Sequence, residues 1–421
     1  MSPIALPSCL NGFNRMPACC WPFDSAARIA RLLVLSNKAV NRSEIVRSRK
    51  KWRAKQQAEE FSHLMTDDEP TNHEPAEGQP FRRRQRYRGT HPRNFDEKYK
   101  ELSSSPDPET IAKLIGSGKT PAGQHRPILV TETLELLAPQ PGERGADVTL
   151  GHGGHSETLL TGLQPGGQLL ALDVDALQLP LTEERLRGLG FGTETLIIRR
   201  CNFAGLAGML PQIGWHDGVD FVLADLGLSS MQIDNPARGF SYKYDGPLDM
   251  RMNPERGLSA RDWLRRCRSD KLVRVLVDGS DEPLAEQIAA VLTELSSREP
   301  INTTGQLRRA IESALPEDIT DDGRRSTLAR VFQAIRIAVN EEFSALDAFL
   351  RRLPDCLLPG GRVAILSFHS GEDRRVKHHF RDGFRSGVYR EIASDVIRPT
   401  GQEMRANSRA ASAKMRWAIR R

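Results

Sequence analysis

An acidic residue at the end of an apolar run marks the first place where chemistry is expected. Residues 219–224 form a short apolar run that ends at Asp225 and is followed by the Gly/Ser turn at residues 227–230. This pattern is typical of a buried parallel strand, and open α/β sheets bind ligands at the carboxyl ends of such strands. Asp225 is therefore a candidate catalytic group, although any α/β protein has strand ends that carry Asp and Gly.

A glycine-rich turn follows an earlier apolar strand at residues 145–150. Three glycines occupy four positions over residues 151–154, before a helical run begins. Glycines let the backbone turn sharply and approach a ligand, and the following helix presents unpaired N–H groups. A dinucleotide fold would need a glycine where Ser156 stands, which disfavours a nicotinamide cofactor. The turn predicts a cofactor loop of another kind.

The next two predicted strands add an acid and an aromatic ring. Residues 167–173 end at Asp173, about twenty residues after the glycines, where a carboxylate can accept hydrogen bonds from ribose hydroxyls. Residues 195–203 end at Phe203, whose ring could lie near an adenine or pack in the core. An adenosine cofactor is consistent with both positions.

These segments together resemble the MraW/RsmH family from about His125 to Arg421. The resemblance rests on TLGHGGHSETLL, LLALDVD, DLGLSSMQIDNPARGFSYKYDGPLDMRM, SFHSGEDRRVK and the closing NSRAASAKMRWAIR. It implies a methyltransferase that uses S-adenosylmethionine to methylate the N4 amine of a cytidine in the decoding region of small-subunit ribosomal RNA.

The resemblance also implies which residues bind the cofactor. Its methionine end is matched to Gly153, Gly154 and His155, and its ribose to Asp173. Its adenine is matched to Phe203, and the region of its sulfonium to Asp225 and Gln232. Three positions depart from the family pattern. His152 stands where a glycine or a small or basic residue is usual, Val174 where Arg is common, and Gly371 where Leu is expected. None of the three removes a polar cofactor contact, but Gly371 is expected to loosen the loop that carries His369.

The expected fold is α/β, with a Rossmann-like class I methyltransferase sheet, an inserted all-helical domain and a disordered N-terminal leader. The boundaries are a leader over 1–120, the first part of the methyltransferase domain over 121–235, the helical domain over 236–325, and the second part over 326–421. Helical periodicity runs through residues 258–315, and residues 327–353 predict one long amphipathic helix.

The leader has low apolar content and blocks of like charge, which argue for disorder. Its first 58 residues have a net charge of +9. Three explanations compete: an Arg-rich presequence, a basic RNA-binding arm, or upstream sequence included through a misassigned start, with Met65 as the initiator. The last is favoured because the character of the sequence changes abruptly near Met65.

Charge is divided unevenly along the rest of the chain. The overall net charge is +6, but residues 101–371 carry −9 and residues 372–421 carry +7. In that tail, basic side chains alternate with Phe380, Phe384, Tyr389 and Trp417, a composition that suits an RNA strand. Contact with RNA is therefore expected from the C-terminal segment, while a solvated surface around core aromatics is the alternative.

The cytosine N4 amine is a poor nucleophile, so the enzyme must align it and accept a proton. Asp225 is the preferred amine-orienting acceptor, with Ser229 at the same junction and His369 on a facing loop as further catalytic candidates. Asp249 is a weaker candidate, for which a loop-fixing role is equally plausible. No cysteine or histidine spacing predicts a metal site.

S-adenosylmethionine is thus the expected cofactor, and small-subunit ribosomal RNA or the assembled small subunit is the expected partner. No apolar run approaches the roughly 18 residues of a membrane span, which favours a cytoplasmic protein. A homodimer is left open. Two other interpretations remain, a nicotinamide-dependent oxidoreductase and a non-catalytic RNA-binding protein that retains the fold.

Overall fold

The computed structural model of the protein describes residues 127–421. The expectations for the leader at residues 1–120, including a start at Met65, lie outside the described residues. Within residues 127–421, no helix combines the length and apolar content that a membrane span requires.

One mixed β-sheet organises the described part of the chain. Its strands are β1 (Arg144–Asp147), β2 (Gln168–Asp173), β3 (Leu196–Arg200), β4 (Val219–Asp225), β5 (Leu357–Ser367), β6 (Tyr389–Ile392) and β7 (Lys414–Arg420). They lie in the order β3-β2-β1-β4-β5-β7-β6. The first five are parallel, and β7 is antiparallel to both β5 and β6. The prediction of an α/β fold is confirmed.

Thirteen α-helices accompany the strands in residues 127–421. They are α1 (Val130–Leu137), α2 (Gly154–Leu163), α3 (Gln178–Gly188), α4 (Leu206–Gln212), α5 (Ser230–Asp234), α6 (Ala260–Arg266), α7 (Ser269–Ser280), α8 (Ala285–Arg298), α9 (Thr304–Ser313), α10 (Asp321–Val339), α11 (Glu342–Cys356), α12 (Ser370–Arg385) and α13 (Gly401–Ala406).

Apolar residues cover the sheet on both faces. Side chains of a strand alternate between its two faces, so β4 sends Val222 and Ala224 to one side and Phe221 and Leu223 to the other. Helices α4, α11 and α12 pack over the first side, and α1, α2 and α3 pack over the second. A strand buried on both faces has a continuous apolar sequence, which is why β2 and β4 were evident in the sequence.

A third core lies within the helices that the chain forms between β4 and β5. Helices α6 to α10 contribute its buried leucines, isoleucines and valines, including Leu276, Ile288 and Val331. The capping box at Thr303 and Gln306, which the sequence predicts, starts α9. This is the expected helical insert. Helix α10 runs across position 326, so the boundary at which the insert ends stays a prediction.

The prediction of one long helix over residues 327–353 is wrong, because α10 and α11 replace it. The side-chain amide of Asn340 donates to the Met250 carbonyl at 2.7 Å, and its Oδ1 accepts from the Met252 amide at 2.7 Å. Glu341 then adopts a left-handed conformation with φ of 52°. Amphipathic periodicity continues across the break, so the sequence carried no signal for it. The break turns the start of α11 toward the ligand-binding edge of the sheet.

Candidate active site

A cavity of about 390 Å³ lies at the carboxyl ends of the parallel strands. This is the edge at which the sequence predicts ligand binding. All of the predicted cofactor-binding residues and the three preferred catalytic candidates lie on its wall, whereas Asp249 does not. They are Gly153, Gly154, His155, Asp173, Phe203, Asp225, Ser229, Gln232 and His369.

The glycine loop connects β1 to α2 and has the conformation that glycines permit. Gly151 and Gly153 have φ of 50° and 75°, in the left-handed region that favours glycine. A Cβ on Gly153 would also lie within 3.1 Å of side chains on α3. The first turn of α2 therefore presents its unpaired backbone N–H groups at the cavity, as the sequence predicts.

Asp173 ends β2 and fixes the glycine loop. Its Oδ2 accepts from the Gly151 amide at 2.7 Å, and its Oδ1 accepts from the Asp175 amide at 2.9 Å. Burial raises the pKa of Asp173, and the two backbone hydrogen bonds work against that rise. Each carboxylate oxygen keeps a further lone pair, so Asp173 can hold the loop and still accept from a ligand hydroxyl.

Asp225 ends β4 and is the most strongly perturbed acid of the cavity wall. Burial raises the pKa of Asp225 to about 8, with further contributions from the charges of Asp147 and Glu372. Its side chain is 27 % exposed, and its Oδ2 lies 3.6 Å from the His155 Nε2. Its Oδ1 is buried and has no hydrogen-bond partner among the described residues. A buried acceptor without a donor is a functional-site signal, because such groups cost stability.

Asp147, on the neighbouring strand β1, is a second buried acid. Burial raises the pKa of Asp147 to about 6, against hydrogen bonds from the Ser156 hydroxyl and the Thr149 amide. The Ser156 Oγ donates to it at 2.6 Å. Ser156, which stands where a dinucleotide fold would have glycine, thus fastens α2 to the sheet.

Ser229 and Gln232 form a capping box at the start of α5. The Ser229 Oγ accepts from the Gln232 amide at 3.2 Å, and the Gln232 Oε1 accepts from the Ser229 amide at 2.8 Å. The Gln232 Nε2 donates to Asp175 Oδ2 at 2.7 Å, where Arg238 also donates at 2.8 Å. Both predicted residues therefore lie at the cavity with their polar groups engaged in holding the loop after β4. Their direct roles in chemistry or cofactor binding stay predictions.

His369 lies at the start of α12, across the cavity from the glycine loop. Its Nδ1 accepts weakly from the Glu372 amide at 3.4 Å, and its Nε2 lies 3.3 Å from the Glu372 Oε1. Burial by itself would raise the pKa of Glu372. Three partners outweigh burial and lower this pKa: His369 through a hydrogen bond and its charge, the Phe368 amide through a hydrogen bond, and Arg336 through its charge. The pKa of Glu372 is thus shifted downward, whereas the pKa of Asp225 is shifted upward.

Arg336 and Glu342 complete this wall. The Arg336 guanidinium donates to both oxygens of Glu342 at 2.8 Å, a bidentate pair in which both side chains are nearly buried. Ligand atoms of Glu342, His369 and Glu372 lie within 4.8 Å of one another, a spacing that could hold a metal ion. Arg336 already neutralises Glu342, so the group forms a connected ion network without a metal.

The remaining candidates are placed as follows. Phe203 lies just after β3 at the cavity and packs edge-on against Phe349, with ring centroids 5.6 Å apart. Asp249 forms a two-point ion pair with Arg251 at 2.6 and 2.8 Å, in agreement with a loop-fixing role.

Sequence reasoning missed several residues of this site. Glu372 lies in the SFHSGED motif, so that motif could have indicated it. Asp175 lies two residues beyond β2 and could have been considered with Asp173. Arg336 and Glu342 had no such signal, because their sequence is typical of solvated positions on a single helix, whereas the structure divides that helix at Asn340 and places both side chains at the cavity.

The sheet order, the glycine loop after β1 and the acids after β2 and β4 define a Rossmann-like class I methyltransferase. The sequence profile of the MraW methylase family matches residues 122–421, and the chain belongs to that family.

Three relatives illustrate the similarity. The chain is 51 % identical over 343 residues to ribosomal RNA small subunit methyltransferase H 2 of Alkaliphilus metalliredigens (strain QYMF), covering 80 % of this chain and 97 % of the relative. It is 48 % identical over 361 residues to methyltransferase H 1 of Lachnoclostridium phytofermentans (strain ATCC 700394 / DSM 18823 / ISDg), covering 85 % and 97 %. It is 39 % identical over 337 residues to methyltransferase H of Nitratidesulfovibrio vulgaris (strain DSM 19637 / Miyazaki F), covering 76 % and 92 %.

Among solved structures, TrmN from Thermus thermophilus has a TM-score of 0.33 and 15 % identity, covering 70 % of this chain and 48 % of that one. At that score the fold assignment rests on the sheet order and not on the likeness.

Proposed function

We propose that the protein transfers a methyl group from S-adenosylmethionine to the N4 amine of a cytidine in the decoding region of small-subunit ribosomal RNA. The observation that carries the proposal is Asp225, a half-buried acid whose buried Oδ1 has no hydrogen-bond partner among the described residues, in the cavity of a chain from the MraW methylase family. The relatives named for small-subunit ribosomal RNA support RNA as the substrate.

The residues present fit S-adenosylmethionine. Asp173 and Asp225 line the cavity on the side of the glycine loop, the buried Asp147 lies close to both, and this excess of acidic side chains suits a cationic ligand. Gly153 and Gly154 with α2 would hold its methionine end, Asp173 its ribose and Phe203 its adenine. When bound, the cofactor supplies an electrophilic methyl group on a positively charged sulfonium.

Asp225 orients the amine. A positive charge nearby favours its ionised form, so its raised pKa falls when a cationic cofactor binds. The ionised carboxylate then accepts a hydrogen bond from the N4 amine and aligns the amine nitrogen with the methyl carbon. Transfer of the methyl group would release a proton from the amine nitrogen, and Asp225 and Glu372, both on the cavity wall, would be the carboxylates that could accept it.

The target cytosine reaches this buried centre only if it leaves its stack. Leu228 and Phe368 line the cavity and offer apolar contact for a base. A ribosomal RNA substrate places the protein in the cytoplasm, and either naked RNA or the assembled small subunit serves as the partner.

The proposal is tested with the nucleoside itself. Small-subunit particles from a strain that lacks this protein are incubated with purified enzyme and methyl-labelled S-adenosylmethionine, and the digested RNA is analysed by mass spectrometry. We expect labelled N4-methylcytidine at one position of the decoding region. Label in another nucleoside would contradict the assignment of the amine, and binding of cofactor without transfer to any substrate would favour a non-catalytic protein.

A further inference from the structure

A dense group of cations lies on the helical insert, away from the cavity. Residues 261–274 hold six arginines and lysines and two aspartates. The aspartates pair with Arg261, Arg268 and Arg274. Arg265, Arg266 and Lys271 are exposed and form no ion pair with a described residue, and we call these three side chains the basic corner.

The fold brings the basic corner together from two helices. Arg265 and Arg266 lie in the last turn of α6, and Lys271 lies in the first turn of α7, with only two residues between the helices. The Lys271 Nζ lies 5.8 Å from the centre of the Trp263 ring on α6, so the two helix ends are in contact. Three positively charged side chains, none of which forms an ion pair with a described residue, therefore lie at the exposed junction of α6 and α7.

Some of the C-terminal cations, in which the sequence places RNA contact, are paired with acids. Lys414 and Arg416 both pair with Asp373, and Arg409 pairs with Asp234. Of the tail aromatics, Phe380 and Tyr389 are in the core and not available for stacking. Lys377, Arg390, Arg398 and Arg405 are exposed and form no ion pair with a described residue, but they are spread over 29 positions of the chain, whereas the basic corner holds its three cations within seven.

The basic corner and the cavity lie at opposite ends of one helix. Asp281, just after α7, lies 3.3 Å from the Ser370 hydroxyl and 3.6 Å from Arg374. Ser370 follows His369 of the cavity wall. Helix α7 has 12 residues and is therefore about 18 Å long, a distance that several nucleotides can span.

We propose that the basic corner binds the phosphate backbone of the RNA that flanks the target nucleotide. The inference rests on the proposed function for the identity of the RNA. Phosphate contacts position a nucleic acid without reading its sequence, so the corner sets the affinity for the substrate and leaves the chemistry in the cavity unchanged.

The test compares two triple variants of equal charge. One is Arg265→Gln, Arg266→Gln, Lys271→Gln. The control is Arg298→Gln, Arg308→Gln, Arg325→Gln, which removes three exposed arginines from α8, α9 and α10, each paired with an acid on its own helix. Binding of small-subunit ribosomal RNA is measured by filter retention at several salt concentrations. Methyl transfer, cofactor affinity and thermal unfolding are measured on the same preparations.

We expect the corner variant to bind RNA on the order of tenfold more weakly. The slope of log affinity against log salt should fall by roughly 1 for each cation that no longer meets a phosphate. KM for the RNA should rise, with kcat, cofactor affinity and melting temperature unchanged. The control should bind as the unaltered protein does.

Equal losses of affinity in both variants, or no change in the salt slope of the corner variant, would overturn the proposal. Displacement of RNA from the unaltered protein by polyglutamate, with the corner variant insensitive to it, would assign the corner to an acidic protein partner instead. Filter retention measures RNA binding and does not depend on catalysis. A failure of N4 methylation can therefore be distinguished from a failure of RNA binding.

Discussion

At the scale of single residues, the site is governed by buried acids that lack matching cations. Asp225 combines an unpaired oxygen, two acidic neighbours and a raised pKa, which makes it unfavourable for the fold in the absence of ligand. Strained acidic side chains of this kind are retained at functional sites, because the chemistry needs them even though they lower the stability of the folded protein.

The Asp225→Asn variant should lose turnover by about 10²- to 10⁴-fold, because the amide keeps the size of the side chain but not the charge that stabilises the developing ammonium. Single-turnover transfer and cofactor calorimetry on one preparation measure the two effects. Cofactor affinity should change less than turnover. Asp217→Asn, at an exposed position just before β4, is the matched control and should behave as the unaltered enzyme.

Proportional losses of cofactor affinity and turnover would give Asp225 a role in positioning the methionine end of the cofactor. A normal single-turnover rate would eliminate it from the transfer altogether.

The same variant should be more stable than the unaltered protein, in a pH-dependent way. Asp225 has a pKa of about 8 when folded, against a reference value of 3.8. Between these values the folded protein holds a proton that the unfolded chain releases, so this group lowers stability as pH rises from about 4 to 8. Melting temperatures without cofactor should diverge across that window, with Asp225→Asn higher by several degrees at pH 8 and the difference constant above it. A difference that does not depend on pH would contradict the raised pKa.

Asp173→Ala should weaken cofactor binding by roughly 10- to 150-fold, which corresponds to about 1.5–3 kcal/mol for the loss of hydrogen bonds to a charged acceptor. The same carboxylate accepts from the Gly151 amide, so part of the loss comes from a looser glycine loop. Titration calorimetry measures the dissociation constant, and circular dichroism checks the fold. An unchanged dissociation constant in a folded variant would remove Asp173 from the site.

At the scale of elements, the start of α12 is shaped by Gly371, which stands where the family pattern has leucine. A Cβ at Gly371 would lie 2.6 Å from the Phe343 ring of α11. The Arg375 guanidinium, one turn further along α12, lies 3.7 Å from the centre of the same ring. The glycine therefore admits an aromatic ring against the helix that follows His369, and the loosening of the loop stays a prediction.

Gly371→Ala should accordingly destabilise the protein despite the better helix propensity of alanine, by about 1–3 kcal/mol for an overpacked site. When Phe343→Ala is already present, adding Gly371→Ala should lower the free energy of unfolding little further, because the ring that would clash is absent. Denaturant unfolding of the two single variants and the double variant gives the coupling energy. Additive effects would show that the ring does not limit the substitution.

At the scale of the whole molecule, every residue of the proposed site lies at position 127 or later. A chain that begins near Thr120 should therefore melt as the full protein does and retain its methyl transfer. Thermal unfolding and transfer to small-subunit particles, with cofactor affinity as the control, check this. A large loss of activity on particles with unchanged cofactor affinity would instead make the N-terminal segment an RNA-binding arm.

The sequence by itself determined the features that depend on near neighbours in the chain. Apolar runs that end in Asp173 and Asp225, and the glycines of the loop at residues 151–154, located the sheet, its ligand-binding edge and the cofactor loop. Strand ends can be interpreted in this way because the carboxyl ends of parallel strands meet at one edge, so residues far apart in the sequence converge without further information.

Only the tertiary structure decided which charges remain unpaired and which groups face the cavity. The break at Asn340 depends on hydrogen bonds to the loop at Met250, and Arg336 before it pairs with Glu342 after it at the site. The C-terminal segment has the composition of an RNA-binding segment, but Asp234 and Asp373 pair with three of its cations, whereas the side chains of the basic corner form no ion pair with a described residue. Burial and ion pairing arise between distant segments, and a linear pattern of residue types does not contain them.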